Sequence, residues 1–175
     1  MILKILLAVV VLIVVVLAFA ATKPNTLRVQ RSVIIQAPPE KIFALINDLH
    51  HWPRWEPQDK EDPSMKRTYG GPESGVGAVS TWQGSGSAGK GEMLITESVP
   101  SSKIVVKVDF VKPFASHNIN QFVLEPVGTS TKIIWSWNGQ NLYFMKLMGI
   151  FVNMDKMMGK HFEDGLASLK SLAEK

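Results

Sequence analysis

The chain contains no cysteine, and histidine is scarce, with 4 in 175 residues. Without cysteine the protein forms no disulfide and has no thiolate nucleophile or thiolate metal ligand, a composition that suits either side of a membrane. His50 and His51 are adjacent and therefore point in different directions, which disfavours a shared metal ion. The sequence also lacks the His-Glu-x-x-His motif of zinc proteases and the Gly-x-Ser-x-Gly turn of serine hydrolases. We therefore predict no metal site and no cofactor.

A large charge of either sign is also lacking. The chain has 19 Lys and Arg residues against 15 Asp and Glu, which gives a net charge of +4. A charge this small and scattered does not produce the basic surface that nucleic-acid binding requires. We therefore expect no nucleic-acid partner.

What the sequence does contain is a long apolar run at its start, from Ile5 to Ala21. As a helix this run is about 26 Å long, close to the roughly 30 Å of a bilayer core. Residues 1–21 are therefore predicted to be a single-pass membrane anchor that crosses the bilayer with residues 5–21. The alternative is a signal peptide, with a cleavage site among small residues such as Ala18 and Ala20. The length of the run favours the anchor.

Residues 22–26 are predicted to be a linker and residues 27–175 a separate domain. Lys4 precedes the apolar run, while Lys23, Arg28 and Arg31 follow it. The positive-inside rule therefore does not decide the orientation. We expect a single-pass membrane protein with its domain on the extracytoplasmic side.

The segment Val33–Pro57 predicts a strand, a helix and an aromatic corner in succession. Pro38 and Pro39 end the strand, and Pro39 suits the first helical position because the N–H it lacks would be unpaired there. Trp52 and Trp55 are predicted to anchor the corner by packing, and prolines around them prevent a long regular helix.

The remainder of the chain reads as a series of strands followed by a helix. Gly- and Pro-containing turns separate short alternating segments, as in an antiparallel sheet. The segment Leu142–Lys175 has apolar residues at intervals of three or four and is predicted to be one long helix. The predicted strands are Leu27–Gln36, Met65–Tyr69, Val76–Gln83, Gly91–Val99, Lys103–Val111, His117–Glu125 and Thr131–Trp137.

From about Leu27 to the C-terminus, this order of elements resembles the START-like, or SRPBCC, superfamily and within it the polyketide cyclase/dehydrase type. The resemblance implies an α+β helix-grip fold, in which a curved antiparallel sheet wraps around a long C-terminal helix, here preceded by the transmembrane helix. It also implies a cavity between sheet and helix that binds a hydrophobic small molecule or lipid. The superfamily includes cyclases, lipid carriers and hormone-binding proteins, so the fold alone does not decide whether the protein is an enzyme.

Aromatic and methionine side chains of the sheet and the last helix are the predicted cavity lining. Trp135 and Trp137 alternate along one strand and therefore share a face. Most methionines lie between Met145 and Met158, and methionine suits a wall that accepts variable apolar ligands, although the same composition suits ordinary core packing. The predicted ligand-binding residues are Trp82, Phe110, Phe122, Trp135, Trp137, Phe151, Met154 and Met158.

The stretch Leu142–Met154 has a further property, because it is apolar on nearly all sides except at Lys146 and Asn153. A helix of this kind needs burial on more than one face. We therefore predict that it contacts the membrane, a second copy of the chain or another protein.

Asp155 is the most informative carboxylate because it interrupts the apolar row of the last helix. One hypothesis is that Asp155 faces a cavity, where it binds a polar group of the ligand or acts as a general base with a raised pKa. The alternative is that it lies on the surface and pairs with Lys156 or solvent. His117 and Arg54 are the other catalytic candidates. Since no paired acid and base is evident, binding of an apolar ligand is the first functional hypothesis. A polyketide cyclase/dehydratase-like enzyme that uses the same cavity is the alternative.

The glycine-rich stretch Gly84–Gly91 matches Gly-x-Gly-x-x-Gly and nearly matches a phosphate-binding loop. Such loops need a strand before them and a helix after them. Here Val79–Gln83 and Glu92–Glu97 both alternate as strands do. The pattern therefore predicts a hairpin loop and no nucleotide site.

Overall fold

The structure is a computed structural model that describes residues 1–85 and 88–175. The helices are α1 (Ile2–Ala21), α2 (Pro39–Asn47), a 3₁₀ helix (Leu49–Arg54), α3 (Pro57–Glu61), α4 (Tyr143–Phe151) and α5 (Met154–Ala173). The strands are β1 (Thr26–Ile35), β2 (Lys66–Gly70), β3 (Val79–Gln83), β4 (Lys90–Val99), β5 (Lys103–Lys112), β6 (Ser116–Val127) and β7 (Ser130–Gln140).

Within the described residues, seven strands form one antiparallel sheet in the order β1-β7-β6-β5-β4-β3-β2. Side chains alternate across this sheet, so that Ile104, Val106 and Val108 of β5 are buried against the core. A register shift between Ile95 and Glu97 interrupts the pairing of β4 with β5, and such bulges bend a strand. The sheet is curved, and its concave face packs against α5. The predicted helix-grip fold is confirmed.

The prediction of one unbroken helix from Leu142 to Lys175 is wrong. The segment forms two helices, because Val152 adopts an extended conformation and Asn153 starts a new helix. The Asn153 side-chain oxygen accepts a hydrogen bond from the Lys156 N–H at 2.9 Å, which is the usual way in which asparagine caps a helix N-terminus. The apolar periodicity continues across this break and therefore conceals it.

The aromatic corner is part of the core. Trp52 and Trp55 are 1% and 0% exposed, and their indole N–H groups donate to the backbone oxygens of Ile46 and Leu45. Each indole thus satisfies its polar atom on α2 while its rings pack against Phe122. The corner therefore fixes α2 over the concave face of the sheet, as its packing role predicts.

Most predicted strands are confirmed with small differences at their ends. The strand predicted from Val76 begins at Val79 instead, because Gly75 and Gly77 adopt positive φ angles that an extended strand does not contain. The short helix α3 is not predicted by the sequence patterns. β1 begins at Thr26, within the predicted linker.

The N-terminal helix α1 has 20 residues and a mean hydropathy of 3.3, so it is long and apolar enough to cross a membrane. Its C-terminal end contacts α4, where the Tyr143 hydroxyl donates to the backbone oxygen of Leu17 at 2.9 Å. The Lys23 ammonium lies 4.3 Å from the centre of the Phe19 ring. The end of α1 is thus attached to the domain by specific contacts.

Candidate ligand-binding cleft

A cleft of about 550 Å³ lies between the concave face of the sheet and α5. Its walls are mainly apolar, and most of its polar lining comes from residues in and beside α3, with His161 of α5 close to them. This distribution is typical of sites for small apolar molecules that carry one polar group. The apolar lining comprises Met93, Val108, Phe110, Trp135, Trp137, Met158 and Phe162.

Glycines opposite two tryptophans create the space that their indole rings occupy. A side chain at Gly91 would meet the Trp82 ring at 2.3 Å, and a side chain at Gly139 would meet the Trp137 ring at 2.2 Å. Any larger residue at either position would displace the indole. The absence of a side chain at Gly91 and Gly139 therefore allows the indole rings of Trp82 and Trp137 to pack closely against the sheet.

Glu56 and His161 form a hydrogen-bonded pair at the polar end of the cleft, which Gln58, Glu61 and Asp62 also line. The His161 Nε2 atom lies 2.8 Å from Glu56 Oε1, and the Glu56 side chain is only 5% exposed. The other carboxylate oxygen accepts from the Gln58 N–H at 2.7 Å, at the start of α3. Glu56 therefore connects α3 to α5 and holds the imidazole at the edge of the cleft.

This arrangement favours the charged form of His161. Burial of the ring lowers its pKa, but the hydrogen bond to Glu56 and the negative charges of Glu56, Glu61 and Asp164 outweigh burial, so the pKa of His161 is raised. A protonated imidazole has two N–H donors, and Glu56 accepts one of them. When it is protonated, His161 therefore offers a positively charged donor beside an apolar space.

The predicted ligand-binding residues divide into three groups. Phe110, Trp135, Trp137 and Met158 line the cleft. Trp82 and Phe122 are buried behind it, and Trp82 donates its indole N–H to the Ala88 oxygen at 2.9 Å. Phe151 and Met154 lie elsewhere, at a second pocket.

The second pocket, of about 510 Å³, lies between the linker after α1 and the junction of α4 with α5. Phe151 is 78% exposed beside it. Lys146 is buried at its edge and donates to the Asn25 side-chain oxygen at 2.6 Å. We take the first cleft as the candidate site because aromatic side chains of the sheet and of α5 enclose it.

Asp155 lies outside the cleft and is bound by Arg31. The Arg31 guanidinium donates to Asp155 at 2.9 Å and to Glu163 at 2.8 Å, and it lies directly against the α5 backbone at Gly159. The hydrogen bond from Arg31 lowers the pKa of Asp155, the opposite of the raised pKa that a general base needs. The partner of Asp155 is Arg31 and not the adjacent Lys156, because β1 lies under this turn of α5.

The structure places the other two catalytic candidates away from the cleft. His117 is 68% exposed and pairs with Asp109 at 2.8 Å. Asp109 alternates with Val108 and Phe110, so this pair lies on the opposite face of the sheet. Arg54 is exposed at the end of the 3₁₀ helix.

The glycine-rich stretch lies between two strands, β3 and β4, as the hairpin prediction requires. Gly86 and Ser87 within it lie outside the described residues. Among residues 1–85 and 88–175, no three His, Asp or Glu side chains converge in a way that could hold a metal ion.

Sequence reasoning missed the pair of Glu56 and His161, the main polar feature of the cleft. The two residues are 105 positions apart, and neither lies in a recognisable motif. Met93 and Val108 were also missed, although their alternation with inward-facing neighbours on β4 and β5 was visible. Alternation identifies which side chains share a face of a strand. It does not identify which part of that face the helices leave open to the cleft.

A curved antiparallel sheet that grips a C-terminal helix, with an apolar cleft between them, defines the START-like class of protein. The chain belongs to the polyketide cyclase / dehydrase and lipid transport family, whose sequence pattern matches residues 26–174. No curated protein matches the chain.

Solved structures share the fold at low sequence identity. Protein CV1439 from Chromobacterium violaceum has a TM-score of 0.60 at 18% identity, over 87% of this chain and 99% of its own. The major latex-like protein 151 from Panax ginseng has a TM-score of 0.62 at 13% identity, over 87% and 100%. The Aha1 dimer from Colwellia psychrerythraea has a TM-score of 0.56 at 18% identity, over 85% and 96%. These similarities establish the fold alone.

Proposed function

We propose that the protein is a membrane-tethered binding protein, or carrier, for an apolar small molecule or lipid that lies in the cleft. The observation that carries this proposal is the cleft itself, about 550 Å³ with aromatic and methionine walls. Its volume is in the range of about 300–1,000 Å³ that small-molecule sites occupy. Membership of a family that includes lipid transport supports the same class of ligand.

The polar end of the cleft indicates which kind of apolar molecule fits best. Glu56 uses one carboxylate oxygen for His161 and the other for the Gln58 N–H, so its charge is already compensated. The remaining imidazole donor is suited to an oxygen atom of the ligand. We therefore propose an elongated apolar molecule with a carbonyl, carboxylate or hydroxyl group at one end.

The tether in this proposal is α1, whose length and hydropathy suit one crossing of a bilayer. The domain follows α1 after a linker of a few residues and therefore stays close to the membrane surface. We propose the extracytoplasmic side for the domain. Detection of a mature chain that begins near Ala21 would contradict the tether, because α1 would then be a cleaved signal peptide.

Two neighbouring methionines allow a matched test of the cleft. Met158 lines the cleft, whereas Met157 is 50% exposed outside it. We expect Met158→Trp to weaken binding of a fluorescent fatty acid at least about tenfold because the larger ring fills the cleft, and Met157→Trp to leave binding unchanged. Equal affinities for wild type and Met158→Trp would contradict this site.

A second candidate function is a cyclase/dehydratase-like enzyme, favoured by the pairing of His161 with Glu56 at 2.8 Å. An imidazole that a carboxylate orients can exchange a proton with a bound substrate. The test is incubation with synthetic poly-β-ketoacyl thioesters. Turnover by wild type that His161→Asn abolishes, in a variant that remains folded, favours the enzyme; absence of turnover by wild type contradicts it.

A further inference from the structure

One end of the sheet carries both the end of α1 and two side chains that line the cleft, Phe110 and Trp137. The strand partners at this end are Thr26 with Gln140 and Lys90 with Lys112. The beginnings of β1, β4 and β6 and the ends of β3, β5 and β7 therefore lie together there. Since α1 ends at Ala21, shortly before Thr26, this end of the sheet faces the membrane that α1 crosses in the proposed function.

The helix α4 lies beside the last turns of α1. The Tyr143 hydroxyl donates to the backbone oxygen of Leu17, four residues before the end of α1. Four helical residues correspond to about 6 Å, within the depth of about 5–10 Å at which amphipathic helices lie in the bilayer interface. Tyrosine is also enriched at that depth.

The exposed side of α4 is apolar. Phe144, Met148 and Phe151 follow a spacing of four and three residues, which places them on one helical face, and they are 39%, 42% and 78% exposed. Phe114, in the turn between β5 and β6, is 57% exposed and lies with its ring centre 4.7 Å from that of Phe144. These four residues form an apolar patch on α4 and the neighbouring turn, and α4 also contacts α1.

A small pocket of about 200 Å³ lies beneath Phe114 and Phe144. Two of the residues that line it, Phe110 and Trp137, also line the ligand cleft. Phe110 and Trp137 therefore lie between the pocket and the cleft. A rotation of these two side chains would join the pocket beside α4 to the interior of the domain.

We propose that the apolar patch lies in the bilayer interface and that the pocket beneath Phe114 and Phe144 is a portal through which a lipid acyl chain passes from the bilayer into the cleft. This inference rests on the proposed function, because the cleft must bind an apolar ligand for a portal to serve it. The occupant of the patch is the bilayer that α1 crosses, because the contact between α1 and α4 places both helices in the same layer.

The portal is tested by closing it. The natural chain has no cysteine, so Phe114→Cys combined with Phe144→Cys introduces one unique pair, which a short bis-maleimide joins. The full chain is reconstituted in phosphatidylcholine vesicles that contain a fluorescent fatty acid. We expect cross-linking to slow uptake into the cleft at least about tenfold relative to the same double variant whose two cysteines are capped separately with N-ethylmaleimide. Unchanged uptake after complete cross-linking overturns the portal, and absence of uptake by wild type overturns both the portal and the proposed function.

The position of the patch is tested separately with single cysteines. A fluorophore on Phe151→Cys should be quenched by lipids with brominated acyl chains several-fold more than one on Thr129→Cys, a control in the turn between β6 and β7 at the opposite end of the sheet. Equal quenching at the two positions overturns the interfacial position of α4. Concentration-dependent pairing of the Phe151→Cys variant with itself or another chain, without quenching, assigns the patch to a protein contact and also overturns it.

Discussion

Replacement of His161 by Leu should destabilise the domain in a way that depends on pH. The variant leaves the Glu56 carboxylate, 5% exposed, with the Gln58 N–H as its remaining hydrogen-bond donor among the described contacts. Loss of the partner of a buried charge costs about 3–5 kcal/mol, but the His161 side chain is 33% exposed, so solvent compensates part of this. We therefore expect the free energy of unfolding to fall by about 1–3 kcal/mol near pH 6.

The sign of the pH dependence follows from the raised pKa of His161. A group whose pKa is higher in the folded state than in the unfolded state contributes its full stabilisation below the unfolded pKa. This contribution is lost as the pH rises through the folded pKa. The difference in unfolding free energy between wild type and His161→Leu should therefore be largest below the ordinary histidine pKa of about 6.5 and decrease as the pH rises through the raised pKa of folded His161.

The assay is denaturant unfolding of the full chain in detergent, followed by the fluorescence of its buried tryptophans. Glu56→Gln and the double variant with His161→Leu complete a double-mutant cycle, which isolates the interaction between the two side chains. We expect a coupling energy of about 1–2 kcal/mol near pH 6. A coupling energy near zero at that pH, or one that increases with pH, would show that His161 and Glu56 do not stabilise the fold as a charged pair.

Three further predictions concern other parts of the domain. Arg67→Ala should lower the unfolding free energy by about 3–5 kcal/mol, because Arg67 and Asp59 form a buried pair with two contacts of 2.6 Å. Denaturant unfolding measures this change, and a loss below about 1 kcal/mol would contradict the prediction. Asn153→Ala should cost about 1 kcal/mol through loss of the α5 cap, and Asn153→Asp, which retains the cap, should cost less in the same assay. Asp155→Asn should leave fatty-acid affinity within about twofold of wild type, since Asp155 lies outside the cleft; a tenfold loss would place it in the site.

Local sequence patterns were sufficient for most of the fold. Alternation predicted the strand Lys103–Val111, which is β5, and the prolines before Glu40 located the start of α2. These predictions succeed because the periodicity of a strand and the missing N–H of proline are properties of a few consecutive residues.

The division between α4 and α5 was not predictable in the same way. Phe151 and Met158 continue one apolar period across it, although Phe151 is exposed and Met158 lies against the cleft. The break depends on the extended conformation of Val152 and on the Asn153 cap. In the sequence, Asp155 interrupts the apolar row of a single predicted helix. In the structure, it lies in the first turn of the second helix, α5.

The polar part of the candidate site required the tertiary structure. Glu56 and His161 meet because the tryptophan corner positions α3 against α5, an arrangement that no local pattern records. The pairing of Arg31 with Asp155 was not predicted for the same reason, because the two residues are distant in the sequence. Contacts between distant segments depend on how the helices and strands pack in the tertiary structure. The sequence shows only the composition and periodicity of each segment.

Native mass spectrometry of the full chain, extracted from its membrane in mild detergent, tests directly whether the cleft binds the ligand. Wild type and Met157→Trp should carry a bound lipid or apolar metabolite of defined mass, and Met158→Trp, in which the cleft is filled, should carry much less of it. Wild-type protein with no bound molecule, or equal occupancy of wild type and Met158→Trp, would contradict the claim that the cleft between the sheet and α5 is the binding site.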